Sequence, residues 1–288
     1  MSNPATEIVD QQFPEFMRPN LRREGAKLPL CDVRQVSVTL PSDGPLGTQG
    51  DMIAMSLDEM MLPGVLANKF WQIETSQFLA EQGNRCGPCV FLDIGANAGL
   101  ISRQVLVASS QIRHVVCAEP DPVNYSCLVQ NLAQFEDVTL VNAGLADADG
   151  VNQFYRQKTN AGNYSFNQAA VEGHEHTVTQ TRTLAVERFF EQVADELGEF
   201  PILWKSDTQG FDELIVSRTP DRVWDKVRCA VIEVWRIDKP DFDKKEFCRR
   251  IDSFANKQLG DEKISSSEDV MAYLASRDRA HTDLLLWR

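Results

Sequence analysis

Asp93, Gly95, Asn97 and Gly99 have types and spacing suited to holding a ligand rather than to filling a core. They sit in Val90-Phe91-Leu92-Asp93-Ile94-Gly95-Ala96-Asn97-Ala98-Gly99-Leu100, a short apolar run broken by one acid and followed by two glycines. The run predicts a strand buried on both faces. Leu100 to Ala108 then carries apolar residues at helical spacing. Strand, glycine turn and helix form the opening unit of a nucleotide-binding α/β fold, in which bare backbone approaches the ligand and the helix N-terminus offers N–H groups. A dinucleotide site would read G-x-G-x-x-G. Here Asn97 replaces the middle glycine, and the carboxylate of Asp93 would repel a pyrophosphate. That acid suits a positive centre, such as the amino group of S-adenosylmethionine, with the turn N–H groups of Gly95, Ala96, Asn97 and Gly99 taking its carboxylate.

Other candidate residues fall at the ends of later strands. His114 to Glu119 predicts a second strand, and Glu119 stands where such folds bind two ribose hydroxyls. The bland alternative is an acid opening the helix at Pro120. Val138 to Asn142 predicts a third strand, so Pro120, Asn142 and Ala143 are placed along the nucleoside. Ile202 to Asp207 predicts a fourth, ending in Lys205 and Asp207, and Arg228 to Trp235 a fifth, with Glu233 near its end. In open α/β sheets ligands lie at the carboxyl ends of strands, so Lys205, Asp207 and Glu233 are expected near a transferable methyl group. Asp207 is the expected base or substrate orienter and also a cofactor contact. Glu233 is the second candidate, and Lys205 fixes a carboxylate or a substrate hydroxyl. The rival reading pairs Lys205 with Asp207 as a purely structural ion pair.

Composition limits the alternatives. The 288 residues are 43% hydrophobic with a net charge of −13, a balance that disfavours non-specific nucleic-acid binding. No apolar run approaches the roughly 20 residues of a bilayer span. No signal pattern opens the chain, so a cytoplasmic protein with seven free cysteines is expected. Cys86-Gly87-Pro88-Cys89 matches a redox tetrad, but it runs straight into a strand and lacks the helix that would activate its first thiol; a turn is the better reading. His174 and His176 could bind metal only with further ligands, and a solvated turn is preferred. No metal site is expected. Met52, Met55, Met60 and Met61 are read as packing, with a pliable pocket wall as the sharper reading.

The remaining elements follow from periodicity. Residues 1 to about 35 are expected as a loose arm or cap, Gln35 to Leu40 as a strand, Leu57 to Leu62 as a helix stopped by Pro63-Gly64, and Val65 to Gln82 as one amphipathic helix. Pro120 to Phe135 predicts a helix with Pro122 in its first turn. Ala143 to Asp147 reads as a turn, Gly150 to Arg156 as a hairpin arm, Asn160 to Ser165 as polar loop, and Asp283 to Trp287 as a terminal strand. The expected division is an arm and helical cap over 1–69 and a ligand-binding domain over 70–288.

Three ordered motifs resemble the FkbM-type S-adenosylmethionine-dependent methyltransferases: Phe91 to Gly99, then Ala118-Glu119-Pro120-Asp121-Pro122 with Asn131-Leu132, then Lys205 to Asp212. Thr183-Leu184 also matches that family's segment ahead of its fourth strand, and the likeness covers roughly 70 to 235. It implies an α/β, Rossmann-like class I methyltransferase fold, seven strands with the last antiparallel, plus an N-terminal extension. It implies methylation of a hydroxyl on a sugar, cyclitol or other natural product, with a small molecule or glycan as partner and a homodimer left open. Ser206 and Asp212 depart from the family pattern. Asp207-Thr208-Gln209-Gly210 lacks the proline pair carried there by methyltransferases of nucleobase or glutamine amides, which again argues against nucleic acid. The rivals are an amine N-methyltransferase, a nicotinamide oxidoreductase and a degenerate binding subunit.

Overall fold

A computed structural model describes residues 35–288, Pro41 excepted. The arm expected over 1–34, with Cys31, lies outside the described residues. Strands β1 (Gln35–Thr39) and β2 (Met52–Ser56) form an antiparallel hairpin. Helices Met61–Asn68 and Ile73–Cys86 lead to β3 (Cys89–Ile94). Helix Leu100–Ala108, β4 (Ile112–Ala118), helix Pro122–Leu132 and β5 (Val138–Val141) follow. A second sheet comprises β6 (Gly144–Ala146), β7 (Gly150–Gln157), β8 (Tyr164–Ser165) and β9 (His176–Ala185). The chain then returns to the main sheet through β10 (Ile202–Ser206), β11 (Val227–Trp235), β12 (Asn256–Leu259), β13 (Glu262–Lys263) and β14 (His281–Trp287).

The main sheet has the order β13-β12-β14-β11-β10-β3-β4-β5. From β11 to β5 every pair is parallel, and β14 runs antiparallel between β11 and β12. This is the Rossmann-like, mostly parallel sheet expected from the sequence, its seven strands joined by a two-residue eighth, β13, in a hairpin with β12. The antiparallel last strand is as expected.

Side-chain alternation explains why β3 reads as an unbroken apolar run. Val90, Leu92 and Ile94 face a core with Phe189, Phe190, Leu214, Ile215, Phe247 and Ile251. Cys89 and Phe91 face the opposite core, with Leu79, Ile101, Val105, Leu128 and Leu132. Period-two alternation between two helical layers leaves no position on the strand for water.

Three local readings differ. Pro63 and Gly64 lie inside helix Met61–Asn68 rather than ending one. Pro63 is its third residue, where the missing N–H has no intrahelical partner to lose. Asp58 starts the helix by accepting from the N–H of Met61 and Leu62. The single helix expected over Val65 to Gln82 is broken where Lys69 and Gln72 take left-handed backbone conformations. The turn expected over Ala143 to Asp147 holds β6, parallel to β9. The arm at Gly150 pairs antiparallel with β9, a partner the sequence reading did not name.

Residues 35–68, the described part of the expected cap, join the glycine turn through Asn131. Its Oδ1 accepts from Ala54 N at 2.7 Å, and its Nδ2 donates to Ala54 O at 2.8 Å and Ala98 O at 2.7 Å. Every polar atom of this buried amide is used. Asn131→Ala should therefore cost about 2–4 kcal/mol in a urea titration with unchanged slope, because its partners lose their bonds inside the protein.

Candidate functional site

A cavity of about 620 Å³ opens at the carboxyl ends of β3, β4, β10 and β11. It lies where sequence order reverses between β3 and β10, the usual ligand position in such sheets. Gly95, Ala96, Asn97, Glu119, Pro120, Ala143, Lys205, Asp207 and Glu233 all line it. Those sequence-predicted residues are thus brought together from five strand ends, Ala143 coming just after β5. Asp93, Gly99 and Asn142 are not on its wall.

Asp93 is fully buried. Its Oδ2 accepts from Ser102 Oγ at 2.6 Å, and its Oδ1 is 3.1 Å from Lys205 Nζ. Lys205 also donates to Gly95 O at 2.9 Å. The structural ion pair weighed for Lys205 therefore exists, but with Asp93 rather than Asp207. Burial pulls the Lys205 pKa down, but the charges of Asp93 and Asp207 more than offset it and hold the ammonium above the usual lysine range.

The glycine turn is set by sterics. Gly95 has φ +75°, and a Cβ there would lie 2.0 Å from Asp207 O. The turn's N–H groups already have acceptors: Gly95 and Ala96 donate to Ala118 O, Asn97 to Glu119, Ala98 to the Asn97 side chain, and Gly99 to Ala96 O. This differs from the expectation that they wait for a ligand carboxylate. An acid at the tip of the neighbouring strand has captured one, and Ala118 O two more.

Glu119 accepts from Asn97 N and from Asp121 N, each at 2.8 Å. Burial, and then the nearby Asp121 charge, push its pKa up to about 8 against the pull of those two bonds. Each carboxylate oxygen keeps a further lone-pair site for a hydroxyl donor. Asn142 works from behind, its amide donating to Glu119 O at 2.8 Å. Gly144 brings backbone against an aromatic wall, since a Cβ there would lie 2.2 Å from Phe166 Cε2. Phe166 packs 4.7 Å from Phe154 and 6.0 Å from Phe211.

At the far side Gln209 bridges two acids. Its Nε2 donates to Asp207 Oδ1 and to Glu233 Oε2, the latter at 2.8 Å. Glu233 Oε1 lies 3.1 Å from His281 Nδ1. Burial, followed by the Asp207 charge, pushes the Glu233 carboxyl well above the usual range. Asp212 accepts from Thr208 N at 3.2 Å and is pushed up to about 7 by burial, then by Glu213 and Asp207. Asp283 is raised to about 6, first by burial and then by Asp207.

Sequence reading missed His281 and the segment between β7 and β8. Ala161 O accepts from Asn97 Nδ2 at 2.9 Å and Asn124 Nδ2 at 3.1 Å, while Ala161 N donates to Asp58 at 2.9 Å. The density of Asn and Gly in Asn160-Ala161-Gly162-Asn163 was the available signal. Met60 and Met61 also line the cavity, in keeping with the pocket-wall reading of the methionines. Cys86 and Cys89 are free thiols on either side of the turn before β3, the last residue of helix Ile73–Cys86 and the first of the strand, at the end away from the cavity. His176 Nδ1 lies 2.9 Å from His174 O in a surface turn. Among the described residues no group of three or more His, Cys, Asp or Glu could hold a metal ion, and no helix is long and apolar enough to cross a membrane.

No family model matches the sequence, and no curated protein matches it at a significant level. Solved structures resemble it weakly. A precorrin-6y C5,15-methyltransferase from Geobacter metallireducens GS-15 is 13% identical, over 75% of this chain and 88% of its own, with a TM-score of 0.36. Methyltransferase FkbM from Methylobacillus flagellatus KT is 12% identical, over 69% of this chain and 44% of its own, also at 0.36. Likeness at this level says nothing about what the chain does.

Two outcomes follow from the buried charges. Lys205→Met leaves the buried Asp93 carboxyl without its cation, and should cost about 3–5 kcal/mol in urea denaturation, with part of the loss recovered in the Asp93→Asn/Lys205→Met double variant. Glu119, Asp212 and Asp283 have folded-state pKa values of about 8, 7 and 6, above those of an unfolded chain. Their contribution is complete below the unfolded carboxylate range and is lost as pH rises through those values. The thermal midpoint should fall by about 5 °C or more between pH 5 and 8.5; a flat or rising profile contradicts the assignment.

Proposed function

We propose that the protein is an S-adenosylmethionine-dependent methyltransferase acting on a hydroxyl of a small molecule or glycan, such as a sugar, cyclitol or natural-product scaffold, in the cytoplasm. The observation that carries this reading is Glu119: a buried carboxylate on the cavity wall, held by two backbone N–H bonds and facing a turn where Gly95 admits no side chain. A pyrophosphate has no use for acids at two neighbouring strand tips. A nucleoside with a positive centre does. The FkbM-type motifs support the hydroxyl acceptor, and the absence of the proline pair after Asp207 supports the exclusion of nucleic-acid bases.

The residues present fit that cofactor. Glu119 would hold the ribose hydroxyls. Pro120, Ala143 and the Phe166 wall would flank the base. Gly95, Ala96 and Asn97 would lie along the amino-acid portion, with Asp207 taking its ammonium or the acceptor. Asp93, Gly99 and Asn142 would act from behind, by shaping the turn and the Glu119 backbone. When bound, the cofactor supplies a methyl group on a positive sulfur, already activated for in-line displacement. The protein's task is alignment, exclusion of water and removal of the acceptor's proton. Asp207 is the group we assign to that proton, with Glu233 beside it. Residues 35–69 and the segment 158–163 would close the acceptor side.

Calorimetry with S-adenosylmethionine should show one site, weakened about tenfold or more in Glu119→Ala through loss of charge-assisted hydrogen bonds. Absence of binding, or preferential binding of NADH in a fluorescence titration, would overturn the reading. With a hydroxyl acceptor in hand, Asp207→Ala should lower turnover by about 10²–10⁴-fold, read as release of the demethylated cofactor.

A further inference from the structure

His281 takes no part in that reading, yet it completes the cavity's outer end. It is the first residue of β14 and the register partner of Trp235 on β11. Its ring stacks on the Trp235 indole with centroids 4.7 Å apart and planes 16° apart. Its Nδ1 is 3.1 Å from Glu233 Oε1, and 55% of its side chain is exposed, against 7% for Glu233. Stacking and the single Nδ1 contact together fix the ring. Nε2, the opposite nitrogen, is the one left to exchange protons with water.

The contacts form a continuous line. Asp207 borders the glycine turn, Gln209 Nε2 ties it to Glu233, and Glu233 touches His281. The line runs from a buried, water-poor site to an exposed imidazole. Two acids in that setting cannot both ionise without cost, and burial followed by the Asp207 charge pushes the Glu233 carboxyl, the proton-holding member, well above the usual range. Other charged groups nearby are Asp283 on β14 itself and Arg279 in the turn before it, whose guanidinium is 3.0 Å from Glu172.

Resting on the methyl-transfer reading, we propose that His281 is the proton outlet of the site, and that the acceptor is a hydroxyl whose proton leaves through the Asp207–Glu233 pair and this imidazole. The balance is complete. The acceptor's O–H bond breaks as its oxygen takes the methyl group, the S–CH3 bond electrons return to sulfur, and the proton passes to Asp207. Glu233 gives the pair's existing proton to His281 Nδ1, and the imidazolium releases one from Nε2 to water. No oxidant, metal or co-reactant enters.

The test needs no acceptor. Imidazole nitrogen NMR titrations of the full-length protein resolve its four histidines, with His281 assigned by its loss in His281→Gln. A shared proton gives opposite signs in two variants. Asp207→Asn removes the charge that, after burial, contributes most to pushing the Glu233 carboxyl up, so Glu233 ionises more readily beside His281 and the His281 midpoint rises by about one pH unit. Glu233→Gln removes the adjacent carboxyl and leaves the midpoint unchanged or lower. His174 and His176 do not move in either. A fall or no change in Asp207→Asn overturns the outlet, since simple through-space removal of a negative charge lowers the midpoint. Calorimetry with S-adenosylmethionine on the same samples separates the two claims. Wild type that shows the coupling without binding the cofactor overturns the methyltransferase reading alone. Wild type that binds it without the Asp207→Asn rise overturns the outlet alone.

Discussion

One buried ion pair sets the geometry of this protein. Asp93 and Lys205 are register partners on β3 and β10, the two strands between which the sheet reverses its order. A desolvated pair gains little net stability over an apolar one, but it tolerates very few arrangements. Here it fixes three things together. Ser102 is held at the start of the following helix, Gly95 O is drawn toward Lys205, and the backbones of the glycine turn and Asp207 close to a distance that excludes a Cβ. Asp93, the acid that first marks the sequence as a binding site, thus acts through shape rather than contact.

Four buried acids of this protein are pushed toward their neutral forms by the same cause. Glu119, Asp212, Glu233 and Asp283 come from four different segments, and burial is the largest cause of the upward shift in each. A concentration of suppressed negative charge is an electrostatic preference waiting for a cation. A positively charged ligand beside these acids would stabilise their ionised forms and release protons. The overall acidity of the chain points the same way at long range.

The parts legible in the sequence are those that obey a short period. Strands β3, β4, β10 and β11 are apolar runs because both faces are covered. The break at Lys69 and Gln72 was not legible, since neither residue announces a left-handed backbone and the apolar spacing continues across it. Pro63 misled because its position within the helix, not its identity, decides whether it terminates one. His281 was hidden for a different reason. Its significance comes entirely from lying opposite Trp235 across an antiparallel pair, and no local pattern encodes that register.

This division between readable and unreadable parts has a physical basis in how the cavity is built. Its inner half consists of strand tips and one tight turn, where sterics and hydrogen bonding permit few residue types, so the sequence there is nearly a description of the geometry. Its outer half is assembled from a helix entry at Met60 and Met61, the segment around Ala161, and the turn leading into β14. Those segments are held by scattered side-chain bonds from Asp58, Asn97 and Asn124. Each bond fixes a position in space without demanding a recurring pattern along the chain. The inner half is therefore constrained in its residue types while the outer half can change its contacts freely, so that, on the proposed reading, discrimination among acceptors would lie in the loops rather than in the sheet.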